Sequence, residues 1–80
     1  MLTDSMIAER LRESSHEFRI LEEAHHRLDS ELIQLQRRHV LAPAEEQSLK
    51  HLQKEKLAKK DKMAELIRVY RDRELQAAPH

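Results

Sequence analysis

Val40-Leu41-Ala42-Pro43-Ala44-Glu45-Glu46 is the stretch that decides the fold. Proline steers the residue before it away from helical backbone, so Ala42 reads as a boundary. Proline also suits the first turn of a helix, where its missing N–H has no partner to lose. Glu45 and Glu46 then fall at the positive end of a new helix dipole. The stretch reads as a turn at 40–44, centred on Leu41, Ala42 and Pro43. It is short, so the helices on either side should run antiparallel.

Upstream of the turn, Asp4, Ile7, Leu11, Ser14, Phe18, Leu21, His25, Leu28, Leu32, Leu35 and His39 follow each other at alternating steps of three and four. From Phe18 to Leu35 that rhythm gives the narrow seam of a coiled coil: Phe18, Leu21, His25, Leu28, Leu32 and Leu35. Downstream, a helix over about 43–75 carries a matching seam at Leu49, Leu52, Lys56, Lys59, Met63, Leu66 and Tyr70. Its middle is polar, and Leu57, Ala64 and Ile67 flank it. The expected fold is all-α: an antiparallel two-helix hairpin, coiled-coil-like.

Ser14-Ser15-His16 interrupts the first seam. Both serines compete with helical hydrogen bonding, and Ser14-x-x-Glu17 matches a capping box, so helix 1 has a weak point there. Residues 1–15 read as a looser helical lead-in starting near Thr3, Asp4 and Ser5, all good N-caps. Residues 16–75 form the hairpin, and 76–80, which lack pattern, a disordered tail.

Composition supports helices. The 80 residues include no Gly and no Cys, two Pro, and only Phe18 and Tyr70 as aromatics; 38% are charged. This is the make-up of long helices rather than sheets. Without Cys there are no disulfides, no thiolate nucleophile and no thiolate zinc site. No apolar run exceeds three residues, against the ~20 that a membrane span needs. The net charge is zero, yet residues 1–35 hold eight acids against four bases, and residues 36–80 seven acids against eleven bases. Either the two halves attract each other, or the basic half meets an anionic partner.

Folding at the turn brings together residues whose numbers sum to about 85. Leu35 then faces Leu49, Leu32 faces Leu52, Leu21 faces Met63, and Phe18 lies near Leu66 and Ile67. Two charge pairs follow across the hairpin, Asp29 with Lys56 and Glu22 with Lys60. Exposed pairs contribute only ~0–1 kcal/mol, so they set register more than stability.

Against this frame the chain resembles the YdcH-like family of small bacterial proteins. The likeness rests on His25-x-x-Leu28-Asp29-x-Glu31-Leu32, on Leu41-Ala42-Pro43-x-Glu45-Glu46, and on Lys54-x-Lys56-Leu57-x-x-Lys60-Asp61-x-Met63, and covers about residues 18–67. The resemblance implies a helical hairpin and a bacterial cytoplasmic origin, and no activity. Three departures stand out: Ser15-His16 where the family often has Asn-Pro, Ala42 where it usually has Ser or Thr, and Lys59 where it has Leu.

The remaining constellations are weak. Glu22-x-x-His25 and Glu23-x-x-His26 have the spacing of carboxylate-bridged metal bundles, but the facing residues are Lys56, Lys59 and Lys60, which repel a cation. His16, His39, His51 and His80 are scattered. Two helices enclose no pocket for acid–base catalysis, and no phosphate-binding loop is present. The sequence reading assigns no catalytic residue, no metal ligand and no cofactor. Lys50, Lys54, Lys56, Lys59, Lys60 and Lys62 form one basic cluster, opposed by Glu55 and Asp61 and spread over more than one helix face. It offers a weak electrostatic site for nucleic acid, without an aromatic stacking platform. The expected role is a non-catalytic, cytoplasmic protein-interaction module that meets itself or another protein, with no membrane partner. Chains of this size usually need extra stabilisation, and association is the form left to this one.

Overall fold

A computed structural model describes residues 2–38 and 40–77. It contains three helices: α1 (Asp4–Ser14), α2 (His16–Gln36) and α3 (Pro43–Ala77). No strand occurs among the described residues. The all-α expectation holds, but the two-helix form needs correcting, because α1 is a separate helix with its own packing. α3 has 35 residues, about 52 Å of helix, and it sets the long dimension of a 59 × 20 × 17 Å molecule.

Ser15 makes the break. Its backbone is extended, at φ −121° and ψ 112°, and its Oγ accepts the N–H of Phe18 at 3.1 Å. Ser15, rather than Ser14, is therefore the N-cap of α2. Ser14 stays in α1 and donates its hydroxyl to the Arg10 carbonyl at 2.8 Å. The carbonyls at the end of α1 find a partner in Arg19, whose guanidinium donates to Arg12 O at 2.7 Å. That places a cation at the negative pole of α1. At its other end, Thr3 caps α1 by accepting from Met6 N–H at 3.2 Å.

The core lies where all three helices meet. Ile7 and Leu11, one turn apart on α1, pack with Phe18 of α2; Ile7 is 0% and Phe18 1% exposed. Met63, Leu66, Ile67 and Tyr70 of α3 close over them. The segment expected as a loose lead-in is thus docked through α1, which supplies the most completely buried side chain among the described residues. Arg71 ties the start of α1 to α3, donating to Leu2 O at 3.1 Å and to Asp4 at 2.5 Å.

α2 and α3 run antiparallel, as the Asp29–Lys56 contact at one level and the Phe18 contacts with Leu66 and Ile67 at another require. α2 ends at Gln36 and α3 begins at Pro43, so the expected turn at 40–44 is cut short by Pro43 and Ala44, which already belong to α3. Ala42 O accepts from Glu45 N–H at 2.9 Å and Glu46 N–H at 3.0 Å, so α3 starts on Ala42. The Glu45 carboxylate reaches back to Ala42 N–H at 3.1 Å and also holds Arg38. This is half of a capping box: the glutamate is present, and alanine supplies no side-chain acceptor. Of the tail expected to be disordered, Gln76 and Ala77 continue α3, and 78–80 lie outside the described residues. His39, the last position of the first seam, also lies outside them.

Candidate interaction surface

Among the described residues, α2 and α3 share the most extensive contact between helices. On α2, Phe18 and Leu32 are buried, and Leu21, His25, Leu28 and Leu35 are half-buried. On α3, Leu49, Leu52, Met63, Leu66 and Tyr70 are all half-buried, as are Lys56 and Lys59. No residue of α3 is fully buried. Near the turn, Leu41 is half-buried while Ala42 and Pro43 are exposed.

Lys56 reaches across the seam to Asp29 at 2.5 Å. The Lys56 hydrogen bond holds the Asp29 carboxyl below the usual carboxylate range. Both side chains keep about a third of their surface in water, so the pair acts mainly as a register pin and adds only a little stability. The other expected pair does not form. Glu22 turns to α1, where both of its carboxylate oxygens accept from Arg12 Nε, at 2.7 and 2.8 Å. α1 outcompetes Lys60 because its end lies beside Glu22 and brings an arginine with it.

An open cleft of about 630 Å³ lies between the end of α1 and the seam, with His25, His26, Glu23 and Met63 on its walls. Its two arginines are already engaged, Arg12 by Glu22 and Arg19 by the α1 carbonyls. His25 Nε2 is buried there without a hydrogen-bond partner in the protein. Among the described residues, no three His, Cys, Asp or Glu side chains gather as a metal-binding set. A second shallow groove runs along Leu32, Gln53, Lys56, Leu57 and Lys60. Leu57 is 58% exposed on its rim.

The sequence places Ile7 and Leu11 on the upstream rhythm but not in the coiled-coil seam, and it gives no role to Arg12, Arg19 and Arg71. The signal was present for the first two. Ile7 and Leu11 sit on the same three-four rhythm as Phe18, and the serine pair between Leu11 and Phe18 interrupts it. For the arginines no local pattern exists, since their partners lie six to sixty-nine residues away.

The geometry defines a class: a small all-α protein in which a short helix braces one end of a helical hairpin. The pattern of the family described as protein of unknown function (DUF465) matches residues 18–67, which run from Phe18 through the turn to Ile67. The chain belongs to that family. The docking of α1 through Ile7, Leu11 and Arg71 uses residues outside the matched stretch. No curated protein matches the chain, and no solved structure does. Among the described residues, no helix is long and apolar enough to cross a membrane.

Proposed function

We propose that the chain is a non-catalytic protein-interaction module that associates with itself or docks on a larger protein. One observation carries this reading. Among the described residues only Ile7, Leu11, Phe18 and Leu32 are buried hydrophobics, while Ile20, Ile33, Leu57 and Leu75 lie exposed. A domain this small is short of burial, and each Å² of apolar surface covered by a partner contributes roughly 25 cal/mol. The clefts described above are open, which favours contact over catalysis. The YdcH-like resemblance supports a bacterial cytoplasmic setting.

The lysine cluster is a weaker basis for function. Lys56 is occupied by Asp29, and Lys62 lies 3.7 Å from Glu65. Sedimentation equilibrium over a wide concentration range tests the proposal. The expected result is a mass that climbs above that of a single chain. A single-chain mass throughout ends self-association and leaves docking on another protein. Salt-sensitive retention of nucleic acid on a filter would instead favour the lysine reading.

A further inference from the structure

Between Glu46 and Arg68 the outward face of α3 is antisymmetric in charge, and Asp72, exposed on the same stripe, falls beyond it opposite the uncharged Pro43. At 3.6 residues per turn, Glu46, Lys50, Lys54, Leu57, Asp61, Ala64, Glu65 and Arg68 fall within about 100° of one another, on the side away from the seam. All are exposed, so neither α1 nor α2 covers this stripe. Read from Glu46 to Lys54 the signs are minus, plus, plus. Read back from Arg68 to Asp61 they are plus, minus, minus. Each charge before Leu57 thus has an opposite charge after it at the same distance to within one residue.

We propose that this face binds the same face of a second copy, with the two α3 helices antiparallel about a two-fold axis at Leu57. The proposal rests on the association reading above and names the partner and the surface. The axis brings together residues whose numbers sum to about 114 or 115. Glu46 then meets Arg68 of the other copy, Lys50 meets Glu65, and Lys54 meets Asp61. The symmetry repeats each pair, as an isologous contact must. Leu57 meets its own counterpart at the centre, and the small Ala64 lets the helices approach to the usual 8–10 Å. Within one chain, among the described residues, only Glu65 of these six charged groups is in an ion pair, with Lys62 at 3.7 Å.

Competing arrangements fare worse. Parallel, in-register helices set every charge against itself. An anionic partner such as nucleic acid meets Glu46, Asp61 and Glu65 on the same stripe. Exposed pairs are individually weak and screened by salt, so the dimer should be modest in affinity and loosen as ionic strength rises.

The test is a charge swap read by sedimentation equilibrium on the full chain at low salt. Lys54 and Asp61 stand about 10.5 Å apart along one helix, too far to touch within a chain. Lys54→Glu places two acids together at two points of the dimer and should weaken it about tenfold or more. Adding Asp61→Lys to the same chain should restore wild-type affinity. Mixing the two single variants should give a heterodimer tighter than either homodimer. Circular dichroism at low concentration checks that each variant keeps its helix content. A wild-type dimer indifferent to Lys54→Glu, or a double variant without rescue, overturns this face and leaves the association reading standing. A wild-type chain that stays single at every concentration overturns both this proposal and self-association.

Discussion

Replacing Ile7 with alanine probes the unexpected part of this fold, the docking of α1. Ile7 exposes none of its surface and packs in the cluster that holds Leu11 and Phe18. The substitution deletes three carbons, or about 2.4 kcal/mol at ~0.8 kcal/mol for each buried methylene. A residual cavity adds to that, while the half-buried Leu2 and Ala8 beside the site can partly collapse into it. A loss of about 3 kcal/mol is expected. A domain of this length has roughly 4–12 kcal/mol in total, so the loss is a large fraction of it. At ~4–8 °C for each kcal/mol, the midpoint should fall by about 12–24 °C. The assay is thermal melting by circular dichroism at one fixed chain concentration, since association shifts the midpoint. Met6→Ala is the control: Met6 is the preceding residue, 43% exposed, and its loss should cost no more than ~0.5 kcal/mol. If the two variants melt together within about 2 °C, α1 is not docked and the core assignment fails.

Three further outcomes follow from named contacts. Ala42→Ser should add about 1 kcal/mol, because a hydroxyl at the N-cap of α3 can accept from the N–H of Ala44 or Glu45 and complete the capping box; a melt unchanged or lowered contradicts it. His25→Leu should stabilise by about 1 kcal/mol by removing a buried ring nitrogen without a partner, and a destabilised variant would show that the nitrogen is satisfied in solution. Asp29 has its pKa lowered by Lys56, so its contribution is complete above the ordinary value of 3.8 and disappears as pH falls through the lower folded value. Denaturant titrations should therefore show a stability gap between wild type and Asp29→Asn that is constant at neutral pH and closes in acid. A gap independent of pH would disprove the pairing.

The hairpin was legible because its signals are local and repeated. Pro43 fixes a helix start, and the step of three and four from Phe18 to Leu35 and from Leu49 to Tyr70 fixes the facing sides. The Asp29–Lys56 contact was legible for the same reason, since antiparallel register follows from the turn. The third helix was harder to read. Ser14 and Ser15 announce a break, but whether a segment before a break packs or drifts depends on what lies beyond sixty residues of chain. Arg71 and Tyr70 decide that, and nothing near Ile7 points to them. Glu22 shows the same limit. Its pairing with Lys60 follows from register alone, and it fails because a third element brought Arg12 closer. The charge antisymmetry of α3 was present in the sequence, yet it acquires meaning only once the seam is placed and the opposite face is found exposed.

The most direct check of the whole account is a distance across the hairpin. Spin labels at Glu23 on α2 and Asp61 on α3, both exposed, would be measured by pulsed electron resonance in chains diluted with unlabelled protein. Dilution removes contributions between copies. Packed helices hold their axes about 8–10 Å apart, and with Asp61 on the side of α3 away from the seam a label-to-label separation of about 20–30 Å is predicted. A continuous helix through Pro43 would hold the two sites about 57 Å apart, and a separation near that length would contradict the fold and the exposed faces argued from it.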